Sequence, residues 1–510
     1  MQYIQGTSRS QAVLFPQSLE QIIEGDNEVR LIDLFAESID LTTFHFQVKQ
    51  SSEGRPPYHP KDLLKLYVYG YLNSVRSSRA LERECKRNIE VMWLLHQLVP
   101  DHNTISNFRR DNEKAIRKVF RHTVSIAGQF DLIGGKLIAG DSTKLRAQNS
   151  KKNNFNQDKI TQRLEYIEKR LDEYNQALEA ADGEENKKVI KEHIDKQHNR
   201  KEKYNALSRQ LTESGESQIS TSDPDSRQIM IRNHVTEVAY NVQTTVDEKN
   251  KITLDYKVTN ENDSKALGGM LRRAKTVLGH TDFMALYDKG YHTGGELKKG
   301  IEMGVEVMVA IPGVASFAPD EGYNFDKFVY NEEEDSYTCP EGEVLTTNGQ
   351  WYVKSNHGYQ VKHYKTTACT SCPAFALCTK NKNGRLIERS EYQPYVEQNK
   401  GNIEADPNTY KKRQQIIEHT YGIIKRQWGF YYVSTKRGIK RASADVGLMF
   451  TALNLRRLMN SIEKNALKEF LRELASLCFA NITSVKLFLA PPSLSNLLYT
   501  FCLLWKKAAA

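Results

Sequence analysis

YKKRQQIIEHTYGIIKRQW, residues 410–428, sets one carboxylate, Glu418, among many cations. Read as a helix, Ile417, Tyr421, Ile424 and Trp428 recur at i, i+4, i+7 and i+11, an apolar stripe that docks on a core. Glu418, Gly422 and Lys425 form the neighbouring row, which emerges at the edge of the packed face, with Gly422 leaving room for another backbone. Between Lys411 and Arg441 there are nine Lys or Arg residues and one acid. Such a carboxylate is either a surface ion-pair partner or a functional group, and the chain around it has to decide.

Upstream, the pattern alternates between strands and helices. KLIAGD (136–141) is a short apolar run ended by Asp141, read as a buried strand that delivers a carboxylate. Tyr240, Val242, Thr244 and Val246 alternate, a polar turn follows from Asp247 to Lys251, and Ile252, Leu254, Tyr256 and Val258 alternate again, a β-hairpin with one buried face. Asp263–Ser264 then cap a helix to about Val277. FMALYDKGYH supplies an apolar strand, Phe283–Tyr287, ending in Asp288; GGELKKGIEMG is a short helix, and VEVMVAIP another strand closed by Pro312. This order predicts an α/β domain with a mixed sheet, built from 131–311 and 405–460.

Two carboxylates thus end apolar strands, and a third lies on a helix able to dock on the same sheet. A trio of that kind suits hard divalent cations such as Mg²⁺, which take few protein carboxylates and complete their shell with water and phosphate oxygens. Two such ions activate an attacking oxygen and stabilise a departing one in an in-line displacement at phosphorus, while nearby Lys and Arg hold the polyanion. Asp223, Asp225 and Asp247 are rival acids that turn chemistry explains.

Two segments interrupt the sheet pattern. Ile160, Leu164, Ile167, Leu171, Tyr174 and Leu178 repeat as an a/d seam until Asp182–Gly183, and helical spacing resumes to Leu211, which predicts a helical hairpin inserted over 155–212. From 312 to 404 the chain is turn-rich and β-leaning, with Cys339, Cys369, Cys372 and Cys378 spaced as candidate thiolate ligands of a structural Zn²⁺ or as ordinary thiols. Trp351 and Trp428 are candidates for stacking on an extruded base, core packing being the alternative for both.

Residues 1–130 read as mostly helical, a domain expected to bind DNA. Pro60 opens KDLLKLYVYGYLNSV, and Asp101, Asn103 and Thr104 precede a basic helix with Arg109 and Arg110, compatible with a helix-turn-helix reader or with a packing domain that has a solvated basic face. The tail 461–510 holds one amphipathic helix and an apolar end that is unassigned.

The 510-residue chain leaves room for two to four domains, and a net charge of +9 is modest for that length but concentrated around Glu418. Seven cysteines, four of them clustered, point to reduced thiols or a metal and not to a secreted disulfide scaffold. MQYIQGTSRSQAV lacks the apolar run of a signal peptide, and Pro491–Pro492 breaks the most apolar C-terminal stretch, so a soluble, cytoplasmic protein is expected.

GRPPYHPKDLLKLYVYGYLN, the PDHNTISNFR segment, GDSTKLRAQ, YNVQTTVD, YDKGYH, the CPEG and CTSCP cysteines and IEHTYGIIKRQWGF, in this order, resemble the successive landmarks of DDE-type insertion-sequence transposases. The resemblance implies an RNase H-like core shared with retroviral integrases, and Asp141, Asp288 and Glu418 as the triad binding Mg²⁺ or Mn²⁺. It further implies cleavage at the ends of a mobile element, joining of the 3′-hydroxyl to target DNA, double-stranded DNA as partner, and a homodimer on that DNA. A metal-dependent nuclease without strand transfer and an inactive DNA-binding repressor are the alternatives. Lys411, Arg413, Lys425, Arg426, Lys436, Arg437, Arg109 and Arg110 are the candidate DNA contacts. The family signature has Tyr, Arg, Glu and Lys with Arg four residues before Glu and Lys seven after. Lys425 fits, but Arg413 precedes Glu418 by five, about 140° around an α-helix. The expectation is therefore that Lys411 and Lys425 flank Glu418, and that Arg413 meets DNA from another side or helps at the site only if the helix starts later.

Overall fold

The first helices fall where caps and apolar spacing put them: α1 (Leu19–Ile22), α2 (Glu28–Glu37), α3 (Pro60–Leu72), α4 (Ser78–Arg87), α5 (Ile89–Leu94), α6 (His102–Asp111) and α7 (Glu113–Gln129). Pro60 occupies the first turn of α3, and Asp101 caps α6 by accepting from the Asn103 and Thr104 N–H groups. The computed structural model describes residues 18–47, 56–232, 235–313, 318–354, 358–435 and 437–484. The expectations that involve the N-terminal 1–13 stretch, Gly54, Arg55, Lys436 and the apolar end around Pro491–Pro492 lie outside those residues.

Next come β1 (Leu137–Arg146), β2 (Asn154–Phe155), α8 (Gln157–Glu179), α9 (Glu184–Ser214), β3 (Ile219–Ser220), β4 (Arg227–Arg232), β5 (Val235–Asp247) and β6 (Thr253–Thr259). α10 (Leu267–Leu278), β7 (Met284–Tyr287), α11 (Gly294–Glu302) and β8 (Glu306–Val309) complete the mixed sheet, whose order is β4-β5-β1-β7-β8 with β6 also on β5. β1 pairs antiparallel with β5 and parallel with β7, and β7 pairs parallel with β8. The helical hairpin α8–α9 leaves the sheet through the small β2–β3 ladder, with Phe155, Ile160, Leu207 and Leu211 buried at its base.

β9 (Val329–Asn331), β10 (Ser336–Thr338), β11 (Val344–Val353), β12 (Gln360–Lys365), the short α12 (Phe375–Cys378) and β13 (Ile387–Ser390) build a separate antiparallel sheet. The chain then returns through α13 (Gln393–Ala405), α14 (Pro407–Tyr421), α15 (Ile439–Ser461) and α16 (Lys464–Ser484). Among the described residues no helix is long and apolar enough to cross a membrane.

The core does not divide at residue 130. One apolar cluster runs from Phe35, Tyr67 and Phe120 in the first helices through Tyr256 and Tyr287 of the sheet to Phe450 and Leu453 of α15. Gly447 permits the close approach: a Cβ there would come within 2.4 Å of the Tyr256 hydroxyl and 2.9 Å of Ile116. Asp445 pins the same junction. It is fully buried, accepts from Arg109 (2.9 Å), the Ser434 N–H (2.7 Å) and the Tyr71 hydroxyl, and has Arg76 at 3.6 Å. Arg109 is therefore a buried structural cation, not the DNA contact expected, because its partner lies far along the chain on α15. Arg110 pairs with its neighbour Asp111 at the surface.

Candidate active site

Along β1, Ala139 and Asp141 point to the sheet face that α14 covers, and Leu286 at the end of β7 shares that face, with Asp288 two residues on. β1 does not stop at Asp141 as its apolar run suggests. β5 offers partners from Ile138 to Arg146, so Asp141 pairs with Thr244 in mid-strand. Asp288 follows β7 and accepts the Gly290 N–H at 2.9 Å, capping the tight turn Lys289–Tyr291. The two strands meet at Gly140, where a Cβ would lie 2.0 Å from the Tyr287 ring.

Burial pushes the Asp141 carboxyl up to about 6, and the charge of Asp288 adds to it; the Ser142 N–H, Arg413 and Lys144 pull the other way without prevailing. Arg413 reaches Asp141 Oδ2 at 3.3 Å, and both side chains are largely buried. Two neighbouring carboxylates held with too little compensating charge are chemically suited to a divalent cation.

α14 starts at Asp406, which accepts the Thr409 N–H at 2.9 Å, with Pro407 in the first turn. Ile416 and Ile417 pack on Ala139, Val246, Leu286 and Met308. Two tyrosines fix the helix across the acid-bearing strands: Tyr410 donates to the Tyr287 carbonyl (3.2 Å) and Tyr421 to the Asp141 carbonyl (3.0 Å). After Tyr421 the helix widens into a π stretch, Gly422–Gln427, and Lys425 donates to the Lys144 carbonyl at 3.3 Å.

This docking overturns part of the sequence geometry. Arg413 faces Asp141, whereas Lys411 is exposed; the predicted 140° separation from Glu418 holds, but it is Arg413 that takes the inner side. Burying both Ile416 and Ile417 turns Glu418 outward, about 100° past Ile417, and its carboxylate makes no hydrogen bond or ion pair among the described residues. Gly422 meets no other backbone: nothing lies within 4 Å of its Cβ position. Asp141 and Asp288 are brought together, Glu418 is not brought to them, and among the described residues no three His, Cys, Asp or Glu side chains stand close enough to hold a metal ion.

Of the other candidates, Arg426 and Arg437 are exposed, on the same basic run as Lys411. Trp428 packs into the core beside Phe430, while Trp351 is 44 % exposed on β11 with Lys362 over its ring. The rival acids are structural. Asp223 and Asp225 accept from the Gly438 and Ile439 N–H groups at the start of α15, and Asp247 accepts from Gly134 and Gly135. Cys339, Cys369, Cys372 and Cys378 are free thiols lining one cavity.

Asp263 is what the sequence reading misses. It was expected as a helix cap, yet Asn262 caps that turn and Asp263 points inward. There it accepts from Ser142 (2.9 Å), Lys144 (3.1 Å), Asn241 (2.7 Å) and Gln243 (2.6 Å). Burial pushes its carboxyl up, but the Lys144 charge and these donors outweigh it and hold the group below the usual range. A Cβ on Gly290 would lie 3.1 Å from Asp288 Oδ1 and 3.5 Å from Asp263 Oδ2, so Asp263 stands beside the Asp288 turn as well as β1. Only the polar pattern of alternate residues Asn241, Gln243, Ser142 and Lys144 hints at such a hub.

Residues 17–111 match a family described as a transposase domain (DUF772), and residues 338–459 match a family described as a transposase DDE domain. The second match includes Glu418, while Asp141 and Asp288 fall outside both. No curated protein matches the chain. The two matches together support an insertion-sequence DDE transposase.

Proposed function

We propose, with an insertion-sequence DDE transposase as premise, that Asp141, Asp288 and Glu418 hold Mg²⁺ or Mn²⁺ at the end of an RNase H-like sheet, and that the protein cuts DNA at element ends and joins the freed 3′-hydroxyls to target DNA. The observation that carries this is the Asp141–Asp288 pair on one sheet face, roofed by α14, with Asp141 pushed up to about 6. When bound, the cations would activate water, and later the 3′-hydroxyl, and neutralise charge on the phosphate. Asp141 and Asp288 supply the hard oxygen donors, Arg413 yields Asp141 and turns to phosphate, and exposed Lys411, Arg426 and Arg437 hold the flanking backbone.

Glu418 reaches the pair by a one-residue slip of α14. A π stretch carries one residue more than an α-turn, and Gly422–Gln427 is such a stretch. Moving it ahead of Glu418 rotates residues 416–421 by about 100°, so Tyr421 and buried Thr420 shift with them and the Tyr421 bond to the Asp141 carbonyl is given up. Ile417 then takes the seat of Ile416, and Glu418 takes the seat of Ile417 beside Leu286, while Lys425 stays on β1.

The test is incubation of the protein with labelled DNA carrying the inverted repeats that flank its coding region, with and without Mg²⁺. Joined products are expected. Cut but unjoined ends would leave a nuclease, and a mobility shift without cutting would leave a repressor; either overturns the reading.

A further inference from the structure

We propose that Cys339, Cys369, Cys372 and Cys378 form a tetrahedral thiolate site for one Zn²⁺ that staples the β9–β13 sheet and, through it, steadies the base of the active-site helix. The four thiols come from three places: the turn after β10, the tight turn Thr367–Ser371 with Cys372 at its end, and the last residue of α12. They line a single cavity of about 30 Å³, with room for an ion.

Tight turns shape the backbone around the four sulfurs. In Cys339-Pro-Glu-Gly342, the Gly342 N–H closes on the Cys339 carbonyl (2.9 Å), Gly342 takes φ +84°, and the Glu343 N–H donates to Cys339 Sγ at 3.3 Å. The Cys372 N–H closes on the Cys369 carbonyl (3.3 Å), a turn that sets both thiols of this pair on one side. Gly384, at φ +88°, leaves Cys369 its space: a Cβ there would lie 2.7 Å from Cys369 Cβ. Arg385 lines the same cavity with its Nε buried and unpartnered. Four thiolates around Zn²⁺ carry a net double negative charge, which that guanidinium offsets. Among the described residues the thiols ring the cavity without clasping it, and binding would draw them in to the roughly 2.3 Å of a Zn–S bond. With all four positions filled by protein, the ion has no open site and is structural.

The sheet needs such a staple. Its buried core is five side chains, Phe328, Tyr337, Leu345, Tyr364 and Ile387, with Cys339 and Cys378 packed against them. Val329, Val344, Trp351 and Val353 are exposed, so a unit of this size has little apolar burial of its own. What it supports is the site helix. Arg389 on β13 makes a two-pronged ion pair with Glu397 on α13 (2.6 and 2.8 Å), Asn399 of α13 is bonded to Val309 of β8, and α13 leads within two residues into α14.

The full chain, purified without chelator, is assayed for bound metal by plasma mass spectrometry and for alkylatable thiols by intact mass, beside the Cys369→Ser/Cys372→Ser double variant and a Cys85→Ser control. One zinc per chain is expected for the protein and the control, and at least a tenfold lower content for the double variant. If the double variant fails to fold, alkylation of the unaltered protein still decides: four thiols become reactive only after a chelator is added, and limited proteolysis then cuts first within 318–392. A protein that holds no zinc and takes up no Co²⁺, that contains disulfides among these four residues, or whose double variant keeps its metal overturns the proposal. None of these readouts involves DNA, so the site stands or falls independently of the transposase reading.

Discussion

Two buried aspartates receive opposite treatment. Asp445, at the junction of the first helices with α15, is inaccessible to solvent but surrounded by donors: Arg109, Tyr71, the Ser434 N–H and, further off, Arg76. Asp141 keeps an opening to solvent and has one backbone donor beside it and a guanidinium at 3.3 Å, while burial and the neighbouring Asp288 carboxylate disfavour its charged form. A carboxylate whose job is cohesion is saturated with partners, because an unpaired buried charge is costly. One kept short of partners is left with affinity to spend on something that arrives later.

The contrast is sharpest in replacement by a neutral isostere. Asp141→Asn or Asp288→Asn is expected to lower strand cleavage by on the order of 10³-fold, about 4 kcal/mol of barrier, measured on labelled element ends with the protein still folded by circular dichroism. Asp445→Ala is expected to do the reverse, costing about 3–5 kcal/mol of stability in denaturant titrations by stranding Arg109. Were Asp445→Ala stable and Asp141→Asn active, the distinction would be void.

A third expectation concerns pH. The folded chain holds the Asp141 proton up to about pH 6, against an ordinary 3.8, so the folded state binds more protons between those values and loses stability as pH rises through them. Asp141→Asn should therefore stabilise the metal-free protein at pH 7 by up to about 3 kcal/mol, a gain that vanishes as pH falls towards 4. Melting temperatures across that range in a chelating buffer test it. Next in size, Arg413→Ala should slow cleavage by roughly 10–100-fold and Lys411→Ala by less than about threefold, since only Arg413 touches an acid of the pair. The smallest effect is for exposed Arg437: Arg437→Ala should weaken DNA binding modestly and lower the slope of log affinity against log salt by about one.

Strands and helices were largely legible because burial imposes a period. The 240–258 alternation is the β5–β6 hairpin, the a/d seam is α8 with α9 carrying the resumed helical spacing, and Asp141 and Asp288 stand on one face of a mixed sheet. What escaped was azimuth and distance in sequence. Helical spacing fixed how far Arg413 lies from Glu418 around α14, but either could face the sheet, and burial of two adjacent isoleucines decided it. Arg109 looked like a free cation because its carboxylate stands on another helix near the far end of the chain. Asp263 looked like a cap because caps and inward hubs use the same residue types.

The continuous core between the first helices and the sheet has a mechanical consequence. With one apolar cluster spanning residue 130 and Asp445 pinning the same junction, any base pairs gripped by the leading helices would sit at a set offset from a phosphate presented to Asp141 and Asp288. The chain would act as a ruler: element ends should tolerate many base changes between the gripped pairs and the cut, yet be disabled by adding or removing a single pair there.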